Sequence, residues 1–332
     1  MKKSDVFNSI IFVPILGCFF VFTALNSQGP DYYNYLLMID RICAEDGLLS
    51  KVLSAKDPFF GFVVWLINPE TKSSYYQVFL FLFFIVFVSR LILIKKLRFG
   101  FYPYIFIYIV FLSPGLDFAA VRALTGLSFL LIYLSLEKKY SFLLLLSVLS
   151  HLSMALPAFY LFKPVDFILK RVGYYRFLLC MFVCLFVFSG LISFIPQTQH
   201  YINEESSLFS IARGLILFAM LNFFLYRCKN SANQFTLSCV KLSIYLSVVS
   251  LGFVSFGLVM YRFFEMSVFV SLIGFFSANY NFYCNKLNLF TLFSFLIFIM
   301  ICFTYRNIKS DIWYLIYDYD MTVITDYILL FF

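Results

Sequence analysis

The sequence predicts an all-α polytopic integral membrane protein with about ten transmembrane helices, in a range of about 9–11. Of its 332 residues, 63% are hydrophobic and 13% are charged, against about 45–50% and about 25% in ordinary soluble proteins. Most of its apolar runs are long enough to cross a hydrocarbon core of about 30 Å. The runs predicted to span lie near residues 7–25, 76–94, 101–114, 117–136, 140–162, 177–195, 208–226, 236–258, 262–279 and 287–304.

Residues 1–332 are predicted to form one membrane domain, because no repeat and no Gly-, Ser- or Pro-rich linker divides them. Two segments are predicted not to span. Residues 26–75 form an outer-face loop, in which the apolar stretch FFGFVVWLI (59–67) is too short to cross and dips into the interface as an interfacial or re-entrant segment. Residues 305–332 form an aromatic-rich interfacial tail.

Basic clusters flank the apolar runs, as in KKLR (95–98) and LEKK (136–139), and predict that these clusters and the N-terminus lie in the cytoplasm. One stretch conflicts with a simple count of crossings. The basic segment KPVDFILKRVGYYR (163–176) belongs inside, yet a span at 140–162 would place it outside. Either 140–162 breaks near His151 and re-enters, or the basic segment is an external amphipathic element. Counting back from the later loops favours re-entry.

The formal charge of +8 does not indicate nucleic-acid binding, because the basic residues form small clusters at helix ends. The eight cysteines and two histidines show no spacing typical of a metal site. We therefore expect no nucleic-acid partner, no metal and no cofactor.

Arg122 and His151 lie inside apolar runs, where an ionisable side chain costs at least ~2.5–3.5 kcal/mol and usually faces a cavity. The guanidinium of Arg122 matches phosphate oxygens, although an arginine near a helix end can also reach the headgroups. His151 suits proton transfer near neutral pH, or it is a core histidine bonded to a neighbouring helix. Arg213 and Arg262 are further anion ligands, and Glu265 either orients Arg262 or forms an intrahelical ion pair with it.

The first outer segment holds a polar and aromatic cluster that contains Asp31, Tyr32 and Tyr35. Aromatic faces beside a carboxylate suit sugar rings, although an interfacial tyrosine belt has the same composition. Asp57 precedes Pro58 and is either an orienting carboxylate or a turn residue.

Four segments follow one another along the first half of the chain: GPDYYNY (29–35), DPFF (57–60), VRALTGLSFLLIYLSLEKKY (121–140) and LLLSVLSHLSMALPAFYLF (144–162). Their order and spacing resemble the EpsG-like group of Wzy-type O-antigen and polysaccharide repeat-unit polymerases. The resemblance covers residues 25–165 well and the rest of the chain by hydropathy alone.

The resemblance implies an enzyme of the bacterial inner membrane whose active site faces the periplasm. It would build O-antigen or a related surface polysaccharide by moving the growing glycan from undecaprenyl diphosphate onto a new lipid-linked repeat unit. Its partners would be this lipid-linked oligosaccharide, membrane lipid, a chain-length regulator and a flippase. The diphosphate ligands of the site would be Arg122, Arg262 and Arg213. His151 would accept the proton of the acceptor hydroxyl or orient that hydroxyl. The sugar contacts would be Asp31, Tyr32 and Tyr35.

Two other functions compete with this one. A membrane O-acyltransferase that modifies glycans has a similar length, but it carries an arginine and a histidine in or beside its first helices, and residues 6–25 hold neither. A flippase for lipid-linked oligosaccharides, which is not an enzyme, is longer and built of two similar halves. Loss of long glycan chains with retention of a one-unit product would favour the polymerase, whereas complete loss of the glycan would favour the flippase.

Overall fold

The computed structural model describes residues 13, 14, 16–19, 21, 23, 32–71, 74–97, 100–116, 120–192, 208–229, 232–278 and 280–309. All regular elements in these ranges are helices, of which fourteen have seven or more residues. They are α1 (Tyr32–Cys43), α2 (Leu48–Ser54), α3 (Pro58–Ile67), α4 (Tyr76–Leu97), α5 (Phe101–Ile107), α6 (Val121–Ser135), α7 (Phe142–Ser150), α8 (Ala155–Leu161), α9 (Lys163–Val172), α10 (Tyr174–Ile192), α11 (Leu208–Cys228), α12 (Gln234–Gly252), α13 (Gly257–Phe276) and α14 (Lys286–Lys309).

Six of these helices are long and apolar enough to cross a bilayer, and a seventh span results if a bent pair of helices counts as one. The protein is therefore a polytopic membrane protein, as predicted. The described residues show fewer full-length spans than the predicted ten. Most of the first run lies outside them, and three further runs form shorter or broken helices: 101–114, 117–136 and 140–162.

The short helices have local causes. After α5 the chain continues as a π-helical turn, Tyr108–Leu112, before the one-turn helix Ser113–Leu116. Helix α6 ends after 15 residues because Glu137 and Lys138 both adopt positive φ angles, 57° and 60°, which end helical hydrogen bonding.

The centre of the bundle is the pair α12 and α13, which turn back on each other between Gly252 and Gly257. Ser243 donates to the carbonyl of Ser267 at 2.6 Å, and the Ser267 hydroxyl donates in return at 2.8 Å. Small residues and hydroxyl hydrogen bonds let membrane helices approach closely, because lipid supplies no hydrophobic drive between them. Most of both helices is accordingly buried.

Helices α7 and α8 form a re-entrant hairpin against α6, with His151 at its tip. Gly126 of α6 faces both arms: the Ser147 hydroxyl donates to its carbonyl at 2.7 Å, and a Cβ at Gly126 would lie 2.6 Å from Met154 Cγ. Two turns further along α6, the Tyr133 hydroxyl approaches the Leu161 carbonyl at 3.5 Å. The chain therefore runs along α7 beside α6, turns at His151 and returns along α8 beside the same helix.

The first arm of the hairpin therefore begins, and the second arm ends, at the same end of the bundle. Lys138, just after α6, lies 3.8 Å from Asp166 of α9. Lys95 and Lys96 at the end of α4 line one cavity together with Lys138. This is the basic end of the bundle. The segment 163–176 begins at the same end of the bundle as LEKK (136–139), which is the arrangement that re-entry of 140–162 requires.

The segment predicted as an outer-face loop, 26–75, is not an irregular loop in its described part, because it contains α1, α2 and α3. Helix α3 has 10 residues, about 15 Å, and cannot span. It packs closely on α2 at Gly61, where a Cβ would lie 2.6 Å from the Lys51 carbonyl oxygen. At the other terminus, α14 continues to Lys309, and residues 310–332 of the predicted tail lie outside the described ranges.

Candidate functional site

Asp57 and Arg122 form an ion pair at the end of the bundle opposite the basic end. Asp57 is the N-cap residue of α3, yet its side chain caps no backbone N–H and instead accepts a hydrogen bond from Arg122 Nη1. The Asp57 side chain is 5% exposed and that of Arg122 is 16% exposed. Arg122 Nε is buried and has no hydrogen-bond partner among the described residues. One edge of the guanidinium therefore holds Asp57, while another donor is unsatisfied.

Two aromatic rings support the Arg122 guanidinium. Its central carbon lies 5.2 Å from the centre of the Tyr35 ring and 5.9 Å from that of Phe60. Both distances are within the range of a cation–π interaction. Tyr35 is 4% exposed and also packs edge-on against Phe79 of α4. Helices α1, α3 and α4 thus fix the position of one arginine on α6.

His151 interrupts the hairpin with an extended backbone, φ −165° and ψ 130°, between α7 and the 3-10 turn Leu152–Met154. The Ser153 backbone N–H donates to His151 Nδ1 at 3.2 Å, and the Ser153 hydroxyl oxygen lies 2.6 Å from the same nitrogen. A backbone N–H can only donate, so Nδ1 must accept. In the neutral imidazole the proton then resides on Nε2.

Four charged side chains act electrostatically on the His151 imidazole: Asp57, Arg122, Arg262 and Lys56. They come from the start of α3, from α6 and from α13, which the fold brings together around the tip of the hairpin. Three of the four are positive and one is negative. The excess of positive charge suits an anionic ligand. We call this group of residues, with His151, the hairpin-tip cluster.

The other predicted site residues are distributed as follows. Arg213 of α11 donates to Ser210 at 3.2 Å and stacks on Tyr261 and Phe264 of α13, on either side of Arg262 in the sequence. Glu265 is buried on α13, one turn after Arg262. Their predicted roles as diphosphate ligand and orienting carboxylate stay predictions.

The predicted sugar contacts have different surroundings. Tyr32 stacks on Phe79 with ring centres 5.3 Å apart, and Asp31 lies outside the described residues. Tyr35 is 4% exposed and its ring supports Arg122, so its role as a sugar contact stays a prediction. The exposed ring of this segment belongs to Tyr33, which is 69% exposed.

A hydrogen bond ties α1 to the start of α4 beside this cluster. The Tyr75 hydroxyl donates to Asp40 at 2.5 Å. That hydrogen bond, with added desolvation, raises the pKa of Tyr75 to about 12. The tie holds α1, and with it Tyr35, against the bundle.

Arg90 is a buried arginine that the sequence reasoning missed. It is 3% exposed within α4, donates to the Tyr108 hydroxyl at 3.1 Å and lies 4.7 Å and 4.8 Å from the rings of Tyr108 and Phe269. The cost of a charge in an apolar run applies to VFVSRLILIKK as it does to Arg122. The same argument applied to this run would have singled out Arg90.

The described residues contain no group of three or more His, Cys, Asp and Glu side chains that could hold a metal ion. The fold and the site together define a polytopic helical membrane protein with a cluster of three basic side chains and one carboxylate at one end, beside the histidine at the tip of a helical hairpin.

The sequence model of the EpsG family matches residues 9–321, and the protein belongs to that family. The match extends the resemblance seen in residues 25–165 to nearly the whole chain. No curated protein and no solved structure matches it.

Proposed function

We propose that this protein polymerises oligosaccharide repeat units linked to undecaprenyl diphosphate into O-antigen or a related surface polysaccharide. Its family is linked to exopolysaccharide biosynthesis. The observation that carries the proposal is the hairpin-tip cluster, in which the positive charges of Lys56, Arg122 and Arg262 and the single carboxylate of Asp57 act on His151. A departing lipid diphosphate needs such cationic ligands, and a site with little water strengthens each of them.

The orientation follows from the distribution of charge between the two ends. Cytoplasmic loops carry the excess of Lys and Arg, so the basic end faces the cytoplasm. The hairpin-tip cluster then faces the periplasm of a bacterial inner membrane. A flippase would deliver the repeat unit to that side, and a chain-length regulator would contact the protein there.

The reaction replaces one glycosidic bond with another. The bond between the anomeric carbon of the growing glycan and the diphosphate oxygen breaks, and the acceptor hydroxyl oxygen bonds to that carbon. The hydroxyl proton passes to the departing diphosphate or to water. Arg122, with its unsatisfied Nε donor, and Arg262 bind the diphosphate through charge-assisted hydrogen bonds.

His151 acts as a hydrogen-bond donor in this scheme. Because Ser153 donates to Nδ1, the neutral ring carries its proton on Nε2. An Nε2–H group can donate to a phosphate oxygen of the leaving diphosphate, but it cannot take the acceptor proton. Of the two roles expected from the sequence, this tautomer favours orientation of the substrate over proton abstraction.

The test is the surface glycan of a deletion strain complemented with single variants. Arg122→Ala and His151→Ala are expected to leave glycan of one repeat unit at normal protein level. His151→Gln is expected to retain long chains, because the glutamine amide nitrogen can donate near the Nε2 position but cannot accept a proton. Arg122→Lys is expected to fail, since an ammonium group lacks the planar fork.

Lys170→Ala removes a cation from the exposed face of α9 at the basic end and is the matched control. It should leave long chains intact. Long glycan chains from Arg122→Ala and His151→Ala would overturn the site assignment. Loss of long chains in His151→Gln would instead favour a role of His151 as the proton acceptor. Loss of all surface glycan on deletion would point to a flippase, and full-length glycan lacking only acyl groups would point to an O-acyltransferase.

A further inference from the structure

A cavity of about 970 Å³ opens at the basic end of the bundle, far from the hairpin-tip cluster. It lies between the ends of α4, α6 and α13 and the starts of α12 and α14. Charged side chains at its rim come from two of these helix ends, Lys95 and Lys96 from α4, and Glu137 and Lys138 from the turn after α6. The lining of the cavity thus contains three ammonium groups and one carboxylate.

Few negative charges neutralise these lysines. Lys96 lies 5.6 Å from the ring of Phe235, a cation–π contact that leaves its donors available. Lys138 lies 3.8 Å from Asp166, and the two side chains are 28% and 45% exposed. An exposed pair of this kind is weak and yields to a stronger anion. Lys95 is itself exposed at the helix end.

The walls below the lysines are mostly apolar. Leu134 of α6, Phe276 of α13 and Leu292 of α14 line them. A small soluble anion would use the lysines and leave these walls without a partner. A lipid with an anionic headgroup uses both, because its phosphate meets the lysines and its acyl chains follow the apolar surface into the bilayer. Basic pockets between transmembrane helices are typical sites for such headgroups.

We propose that this cavity binds an anionic phospholipid of the adjacent leaflet, with its phosphate among Lys95, Lys96 and Lys138 and an acyl chain along Leu292. Each lysine near a lipid phosphate contributes about fivefold in affinity, so the three together contribute roughly 100-fold. The site is independent of the polymerase proposal, because it lies at the opposite end and its test measures binding alone.

The experiment compares purified full-length protein, delipidated in detergent, with two triple variants of equal charge. Lys95→Gln/Lys96→Gln/Lys138→Gln removes the rim of the cavity. The control Lys139→Gln/Lys163→Gln/Lys170→Gln removes three exposed charges at the same end. Binding of phosphatidylglycerol, phosphatidylethanolamine and inorganic diphosphate is measured by titration with native mass spectrometry, and thermal unfolding without lipid checks the fold.

Phosphatidylglycerol is expected to bind the native protein and the control triple variant with similar affinity, and the rim variant roughly 100-fold more weakly. The zwitterionic lipid should bind weakly to all three. Leu292→Asn should weaken the lipid and leave diphosphate binding unchanged. Equal losses in the two triple variants would mean diffuse attraction to a basic surface and would overturn the proposal. So would diphosphate binding as tight as the lipid, which would mean a site for a soluble anion.

Discussion

Substituting Asp57 and Arg122 singly and together measures how much their ion pair at the hairpin tip contributes to the stability of the protein. The variants are Asp57→Asn, Arg122→Met and the two combined. With 5% and 16% of the side chains exposed, each single change leaves a poorly solvated charge without its partner. Such a loss costs about 3–5 kcal/mol for a buried pair, and we take about 3 kcal/mol because Arg122 retains some exposure.

The expected shift in melting temperature follows from that figure. At about 2 °C per kcal/mol for a chain of this size, each single variant should melt about 6 °C lower. Removing both partners leaves no unpaired charge and is often close to neutral, so the double variant should melt within about 2 °C of the native protein. Independent residues would instead give a loss of about 12 °C, the sum of the two single losses.

Thermal unfolding is followed by intrinsic fluorescence in one detergent at fixed lipid content. Asp166→Asn is the matched control, because the Lys138–Asp166 pair is 28% and 45% exposed at 3.8 Å. An exposed pair is worth about 0–1 kcal/mol, so the control should shift by no more than about 2 °C. Single variants that melt like the control, or a double variant with additive losses, would refute the reasoning.

Two further changes test the packing around the site. Gly126→Ala places a Cβ 2.6 Å from Met154 and 2.9 Å from the Ser147 carbonyl oxygen. We expect this variant to be destabilised by about 1–3 kcal/mol and to lose long glycan chains. In the control Gly190→Ala a Cβ meets nothing within 4 Å, so this variant should melt no lower than the native protein. Tyr75→Phe should lower the melting temperature below pH 10. Because the pKa of Tyr75 is raised from 10 to about 12 in the folded protein, the stability that this hydrogen bond contributes is lost between pH 10 and 12. The melting temperatures of the native protein and the variant should therefore converge across that range, and a constant difference would contradict this.

Much of the membrane architecture could be predicted because hydropathy and helix length are local properties. The runs at 76–94, 177–195 and 208–226 correspond to α4, α10 and α11 within a few residues. The break at His151 was predicted only indirectly, from the charge of 163–176. The run at 101–114 has the composition of a span, but its continuous helical path through α5, the π-helical turn Tyr108–Leu112 and the turn Ser113–Leu116 is shorter than a full-length span.

The site was less predictable, because its partners come from distant parts of the chain. Arg122 and His151 stood out as charges in apolar runs. Asp57 was expected to be an orienting carboxylate or a turn residue, but nothing in the sequence assigned it to Arg122, 65 positions later. Tyr35 was assigned to a sugar because its neighbours are polar, and only packing shows that its ring supports an arginine.

The hairpin that carries His151 also constrains how the protein is made. The two arms of the hairpin, α7 and α8, have nine and seven residues, about 14 Å and 10 Å, so neither crosses a bilayer alone. Each arm uses the other helices to satisfy its polar groups, as the Ser147 hydroxyl does on Gly126. We therefore expect α6 and both arms, residues 121–161, to enter lipid together. A ribosome stalled before the returning arm emerges would hold the first two helices in a state that lipid cannot stabilise.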